Sequence, residues 1–304
     1  MKILIVTNKL GMANSACTSF MADEAISRGH QIFECDQDMV SLLDGEIICV
    51  AEQYFGAHKQ NSNVQKFTIK SDFDIVFWRQ NPPVDMAYLT TLYLLQIIEN
   101  DVLILNKPSS VIRFAEKILP HYFAEFSPPT LISKNRDEIL DFIKAHNGAV
   151  AKPLYFFGGN GVEKLGVNDL AKLNELLAAS NEPLVYQKFL PEVVEGDKRF
   201  VFVNGKFVKA FNRVPPEGEF IANLCHGGSA KPFEPNEYHK TQIIPKVEQF
   251  LSDNDISFCG IDVIGNYVNE MNITSPLTFP PLFDVYGINA ATNFWSEIEA
   301  KLAN

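Results

Sequence analysis

Between residues 260 and 276 the sequence reads GIDVIGNYVNEMNITSP, which gathers Asp262, Glu270 and Asn272 around a tight turn at Gly265-Asn266. Two carboxylates that face each other without a cation repel, so this proximity asks for a positive partner. Two carboxylates and an amide oxygen suit a hard divalent cation, and magnesium takes a few protein oxygens together with substrate phosphates. Glu270 and Asn272 lie two apart and share one face of a strand. Whether Asp262 joins them depends on the turn. A two-residue turn pairs Asp262 with Asn269 and sends Glu270 to the opposite face, whereas a three-residue turn or a glycine bulge pairs Asp262 with Glu270. Only the second register builds one site, so the turn is expected to be longer than Gly265-Asn266. A solvated hairpin edge is the alternative reading of the same residues. Asn272-Ile273-Thr274 also matches a glycosylation acceptor in form.

A second group of residues points to phosphate. VAKPL places Lys152 on a strand that runs into YFFGGNG. Backbone N–H groups at glycines such as Gly158 and Gly159 can approach phosphate oxygens, and a neighbouring lysine adds charge. The loop matches neither the Walker A nor the dinucleotide pattern, so a plain surface turn stays open for it. Lys117 on a helix and Lys198-Arg199 entering a strand read, by themselves, as ordinary surface charge.

Composition narrows the partners. With 304 residues and a formal charge of -11, the chain is expected to hold two or three domains and offers no positive field for nucleic acid. A small anion held by a few local cations is still allowed. The five cysteines are scattered without a C-x-x-C pair, which argues against a zinc or disulfide framework. MKILIVTN reads as a first strand rather than a signal peptide, and no apolar run reaches membrane-span length. The chain therefore reads as cytoplasmic, and the glycosylation match as accidental.

The elements that must position these groups alternate. KILIVTN, HQIFEC, DIVFWRQ and VLILNKP read as strands, with helices over 15–28, ending at Gly29, and over 87–99. Such alternation implies a largely parallel sheet covered by helices. Beyond Pro128-Pro129 come the strand PTLIS, a helix over 136–145, the strand GAVAKPL, a helix over 169–179 and the strand LVYQKF. DKRFVFVNGKFVKAFNR is a hairpin turning at Asn204-Gly205. Residues 215–235, rich in proline and glycine, are expected to form a long loop of the kind that covers active sites. A helix over 237–251, the hairpin described first and a helix over 288–302 complete the chain.

The order of these pieces closely resembles the ATP-grasp superfamily and, within it, the bacterial-type glutathione synthetases. NKPSSVIRFAEK, AKPL with its glycine loop, WRQNPPVD, GDKRFVFVNG, FNRVP, NLCHGG and NEMNITSP carry the likeness, which covers nearly the whole chain. It implies an α/β architecture in three parts. These are an N-terminal parallel α/β domain over 1–118, an ATP-grasp small lobe over 119–190 and a large lobe with the metal site over 191–304. It also implies ATP-driven ligation of γ-glutamylcysteine to glycine through an acyl phosphate, with Mg2+ as the metal and no bound organic cofactor. Asp262, Glu270 and Asn272 would hold the magnesium. Lys117, Lys152, Gly158 and Gly159 would meet the ATP phosphates. Gln187 and the main chain at Lys188 and Leu190 would serve the adenine, and Asp197 the ribose. Arg199 and Arg213 would stabilise the transferring phosphoryl group and the oxyanion. Arg79, Asn223 and Ser275 would lie against the peptide substrate. Relatives of this kind are usually homo-oligomers, dimers or tetramers.

The chain departs from that pattern in three places. Ile221-Ala222 stands where an Arg-Gly is usual, Tyr155-Phe156-Phe157 precedes the loop glycines where Asp-Gly is usual, and LTFPPLF follows NITSP where Arg and Glu are usual. Gln80 and Asn81 likewise replace a common Lys and Asp. The nucleotide and metal half of the pattern is intact, while the substrate and lid half is eroded. A ligase for a different acid and amine, and a non-catalytic nucleotide-binding relative, are the competing readings.

Overall fold

The computed structural model describes residues 1–57, 63–224 and 227–303. Cys225 and His226, which belong to the NLCHGG stretch, lie outside the described residues; the four described cysteines are free. Among the described residues no helix is long and apolar enough to cross a membrane.

Three sheets organise the chain. The first contains β1 (Lys2–Val6), β2 (Gln31–Cys35), β3 (Val40–Leu43), β4 (Glu46–Tyr54), β5 (Gln65–Thr68), β6 (Ile75–Trp78) and β7 (Leu103–Leu105). Its centre, β2-β1-β6-β7, is parallel as expected. The sheet is extended by β4 antiparallel to β2, with β3 and β5 both antiparallel to β4. That extension departs from the expected strand-helix alternation. β3 and β4 are joined at Asp44-Gly45, both with positive φ (50° and 87°), a tight hairpin that needs no helix.

The second sheet has four strands, β8 (Thr130–Ser133), β9 (Ala149–Pro153), β10 (Glu163–Leu165) and β11 (Leu184–Gln187), in the order β10-β9-β11-β8. Helices Arg136–Ala145 and Leu170–Ala179 cover one face through Ile139, Ile143 and Leu173. Asn135 caps the first of these, its side chain accepting the N–H groups of Asp137 and Glu138. The third sheet runs β14-β13-β12-β15-β16, with β12 (Asp197–Val203), β13 (Lys206–Val214), β14 (Ser229–Phe233), β15 (Phe258–Ile264) and β16 (Tyr267–Asn272). β12 and β13 turn at Asn204-Gly205, with φ of 51° and 73°, as the sequence predicts. Residues 215–235 are not loop throughout, because β14 pairs with β13. LTFPPLF, with Pro280 and Pro281 inside the first turn, opens the helix Phe279–Tyr286, where proline is tolerated because those N–H groups have no helical partner.

Packing ties the first sheet to the third. Ile3, Ile5 and Phe77 share one core with Val201, Phe211 and Phe258 and with Phe279, Phe294 and Trp295 of the last two helices. Asn106, 2% exposed at the end of β7, is the polar counterpart of this seam. Its amide donates to the carbonyls of Phe258 (2.7 Å) and Ile273 (2.5 Å), and its oxygen accepts the N–H groups of Ser257 (2.7 Å) and Phe258 (2.9 Å). Four backbone groups next to the candidate site, three of them buried, thus depend on one side chain at the end of the first sheet. Asn106→Ala strands them and should cost about 3 kcal/mol, read as a lowered midpoint in urea unfolding, while an apolar surface change such as Val64→Ala should leave it in place.

Candidate functional site

The GIDVIGNYVNEMNITSP hairpin builds the centre of the site. Asp262 pairs with Glu270 and Gly260 with Asn272, as one metal platform requires. The route to that register differs from the expectation. Ile264 pairs with Tyr267, so the turn is only Gly265-Asn266, and Val263 pairs with Val268. The register shifts beyond that rung because Asn269 is an extra residue, a β-bulge in β16. The signal was present in the sequence: Val268 and Met271, both 0% exposed, are separated by two polar residues, where strict alternation allows one.

Asp262 is 4% exposed and held by two arginines. Arg199 meets it through Nε to Oδ1 at 2.5 Å and Nη2 to Oδ2 at 3.2 Å, and Arg213 Nη2 lies 2.8 Å from Oδ2. Burial drives the Asp262 carboxyl upward, but the two guanidinium groups outweigh it and hold it below the usual range. Arg213 also binds Asp197 Oδ2 at 2.5 Å. Burial raises the Asp197 carboxyl to about 6 despite Arg213, with Asp262 adding to the rise. Gly260 makes room for this arrangement, since a Cβ there would stand 3.1 Å from both Arg199 Cδ and Pro276 Cβ.

Lys117 and Lys152 approach from the other side. Lys117 Nζ lies 3.1 Å from Glu270 Oε1 and donates to the Phe156 carbonyl of the glycine loop. Lys152 Nζ donates to Gln187 Oε1 (2.6 Å) and to Oδ1 of the bulged Asn269 (2.9 Å). Burial pulls the Lys152 ammonium down to about 8, against the attraction of Glu270.

Two cavities meet here. The first, about 810 Å³ including space open to solvent, is lined by all eight residues expected around the nucleotide: Lys117, Lys152, Gly158, Gly159, Gln187, Lys188, Leu190 and Asp197. Its apolar end rests on Leu190, Val193 and Ile264, with Phe189 and Phe220 packed against them. The second, about 1050 Å³ on the same measure, is lined by Arg79, Asn223 and Ser275, by Arg199 and Arg213, and by the start of the helix Ala16–Ser27. Asp262, Glu270, Phe157, Gly158 and Asn223 face both cavities.

Some expected residues are placed with a narrower role than the sequence suggests. Arg79 is 1% exposed, with its guanidinium donating to Thr18 Oγ1 (3.2 Å) and to the carbonyls of Thr274 (2.6 Å) and Pro276 (3.4 Å). It therefore shapes the wall at Ser275 more than it projects from it. Asp197 sits against Arg213, which also holds Asp262, and its Oδ1 is buried without a hydrogen bond. Glu116 was not singled out. It lines the second cavity, and burial, with Glu270 adding, raises its carboxyl above the usual range. Its neighbour Lys117 in the stretch FAEK is the sequence signal that marks it.

The donor set fits a hard cation. Among the described residues no cluster of three His, Cys, Asp or Glu side chains exists, so any metal here rests on two carboxylates and an amide. Asn272 Nδ2 donates to the Gly260 carbonyl (3.4 Å), which leaves its oxygen to face the cavity that Asn272 lines. Asp262 Oδ1 keeps a second lone pair beyond its one arginine contact, whereas Oδ2 already takes both Arg199 and Arg213. An all-oxygen set of this kind suits magnesium.

Comparison with known proteins agrees with this geometry. The profile of the prokaryotic glutathione synthetase N-terminal domain matches residues 1–112, and that of the prokaryotic glutathione synthetase ATP-grasp domain matches residues 116–285. A glutathione synthetase of Rhodopseudomonas palustris is 36% identical over 288 residues, 92% of this chain and 91% of that protein. One from Mesorhizobium japonicum is 36% identical over 292 residues, 93% of each. Among solved structures, the D-cycloserine synthetase DcsG superposes with a TM-score of 0.69 at 14% identity, covering 99% of this chain and 100% of that one. A Chryseobacterium gregarium RiPP-associated ATP-grasp ligase does so with a TM-score of 0.65 at 18% identity, covering 97% of each. At such identities the structures speak for the fold alone, and the sequence relatives for the family. The chain belongs to the prokaryotic glutathione synthetase family, ATP-dependent ligases built on the ATP-grasp fold.

Proposed function

We propose that the chain makes glutathione by joining γ-glutamylcysteine to glycine, with cleavage of ATP to ADP and phosphate. The observation that carries this reading is the meeting of the two cavities at Asp262 and Glu270, which sets phosphate-type cations on one side and a dipeptide-sized space on the other. Residues 1–118, 119–190 and 191–304 act around that junction as N-terminal unit, small lobe and large lobe. A cytoplasmic location and a homo-oligomeric state, dimer or tetramer, belong to the same proposal.

Each group then has a task. The Lys188 N–H is committed to the Pro129 carbonyl (2.9 Å), so the Lys188 carbonyl and the Leu190 N–H serve the adenine edge. Lys117, Lys152 and the amides at Gly158 and Gly159 receive the phosphates. Lys152 exchanges two neutral oxygens for charged ones, which favours binding. Asp262, Glu270 and Asn272 hold magnesium, whose contribution when bound is to neutralise charge across the phosphates. The donor carboxylate attacks the γ-phosphorus and the bond to ADP breaks, giving an acyl phosphate. The glycine amine then attacks the acyl carbon, and phosphate leaves with the electron pair of the broken C–O bond. Arg199 and Arg213 lie where charge builds in both steps, already oriented by Asp262 and Asp197. Asn223 and Ser275 line the peptide side, with Arg79 fixing the backbone around Ser275.

A second reading, ligation of a different acid and amine, is favoured by one observation: Leu224, Pro276 and Leu277 give the substrate cavity an apolar wall.

The deciding assay is phosphate release from Mg-ATP with γ-glutamylcysteine and glycine, run beside a panel of other acids and amines. Turnover with the named pair is expected, and turnover only with another pair would replace it. Glu270→Gln should lower magnesium-dependent turnover by about 100-fold or more, and an unchanged rate would remove Glu270 from the metal set. Nucleotide affinity should also follow Lys152. Its ammonium, at about 8 in the free protein, is favoured by bound phosphate. Affinity is therefore complete below that pH and falls as the pH rises through it, by up to about tenfold per unit. Calorimetry with ADP across that range should show the decline, and Lys152→Met should bind weakly and without it.

A further inference from the structure

Three carboxyl side chains line the substrate cavity, and two are neutralised from within the chain. Asp262 is gripped by Arg199 and Arg213, and Glu270 takes Lys117 Nζ at 3.1 Å. Glu116 differs. Its Oε1 accepts only neutral donors, the N–H groups of Ile273 (3.0 Å) and Thr274 (3.3 Å) and the Thr274 hydroxyl (2.9 Å). Oε2 takes none of these, and Glu116 lines the cavity.

The nearby cations are committed elsewhere. Arg79 gives its guanidinium to Thr18, Thr274 and Pro276, and Lys117 gives its ammonium to Glu270 and the Phe156 carbonyl. Among the described residues no lysine or arginine nitrogen lies within 4.0 Å of the Glu116 carboxylate. Lys117 and Arg79 act on Glu116 only from beyond ion-pair distance, so the desolvated carboxylate has no contacting counter-ion, and a cationic ligand relieves the cost of burying it. Both amine-bearing reactants offer one, the α-ammonium of the γ-glutamyl donor and the ammonium form of glycine.

We propose that Glu116 Oε2 is the receptor for a substrate ammonium, aimed into the cavity because Ile273 and Thr274 fix Oε1. The proposal rests on the ligase reading given above. It makes Glu116 a substrate-binding group, whereas a purely structural anchor of the 273–274 backbone would alter stability or kcat and leave both amine substrates unaffected.

Glu116→Gln separates the two. The amide oxygen still accepts from Ile273 and Thr274, while an NH2 group replaces the oxygen that meets the ammonium. The KM of one amine-bearing substrate should rise about 10- to 100-fold, with the KM of ATP unchanged. A rise confined to glycine assigns the acceptor amine. A rise confined to γ-glutamylcysteine assigns the donor, and the wild type should then discriminate against glutaryl-cysteine, which lacks the α-amino group, while the variant does not. Unchanged KM values for both, or a fall in kcat alone, overturn the proposal. Absence of wild-type turnover with this pair would count against the ligase reading instead. Calorimetry of the same ligands on the AMPPNP-bound protein then tests ammonium recognition without turnover, and equal binding of donor, glycine and glutaryl-cysteine to wild type and variant overturns it. Nucleotide binding reports folding of the variant. If Glu116→Gln loses it, Glu116→Asp, which keeps the charge but withdraws the oxygen, must raise the same KM several-fold, and an unaltered KM there overturns the proposal.

Discussion

The buried contact of Asp262 with Arg199 and Arg213 is the constraint on which the rest of the site depends. A carboxylate out of water is tolerable only when paired and hydrogen-bonded, and two guanidinium groups supply that here. They also fix its orientation. The bidentate fork of Arg199 holds the carboxylate plane, and Arg213 is itself anchored by Asp197 on the adjoining strand position. Removing any member leaves an uncompensated buried charge, so the four side chains stand or fall together. The same unit brings both guanidinium groups to the wall of the second cavity, where Asp262 also faces the first.

The bulge at Asn269 is the backbone counterpart of that unit. Without the extra residue, Asp262 would face Asn269 across the ladder and Glu270 would point to the other side of the sheet. With it, Glu270 faces Asp262, and Asn269 turns toward Lys152 on the second sheet. One inserted residue therefore brings Asp262 and Glu270 face to face and links two sheets. The glycine loop is joined in a similar way to the connection that follows β6, through the Val84 N–H to the Tyr155 carbonyl at 3.0 Å, and to Glu270 through Lys117, which donates to the Phe156 carbonyl. The glycine loop, β16 and the wall of the second cavity are thus connected by named hydrogen bonds and ion pairs rather than by proximity alone.

Much of this was legible before the structure, for reasons specific to each element. The parallel strands, the capped helix Arg136–Ala145 and the hairpin at Asn204-Gly205 carry local signals, namely apolar runs, an asparagine cap and an Asn-Gly turn. Asp262 and Glu270 were found as a pair because their types were unusual in a buried hairpin. What remained hidden depends on contacts far apart in sequence. Nothing near Asn106 reveals that it will satisfy backbone groups at 257, 258 and 273. Nothing in RFAEK reveals that Glu116 will meet Ile273 and Thr274, 157 and 158 residues away. The bulge lies between these cases, since the Val-Asn-Glu-Met spacing breaks alternation while the same register also follows from a longer turn or a glycine bulge.

The eroded lid is best understood through what surrounds it. Ile221 and Ala222 supply no cation, and an arginine at such a position can be worth several kcal/mol to a phosphoryl transition state. Yet Lys117, Lys152, Arg199 and Arg213 already converge on the junction of the cavities, so it does not lack positive charge. What the lid supplies instead is apolar cover. Phe220 packs edge-on against Phe189, with ring centroids 6.4 Å apart, over Leu190, Val193 and Ile264. Ala222 is 3% exposed, and its carbonyl would stand 2.3 Å from a Cβ at position 228, a close approach that glycine permits. Phe156 and Phe157 add aromatic wall to the first cavity. Excluding water strengthens every remaining charge contact, because Coulomb energy scales inversely with the local dielectric. Around the junction of the two cavities the chain thus combines apolar cover with four cations and the carboxyl groups of Asp262, Glu270 and Glu116.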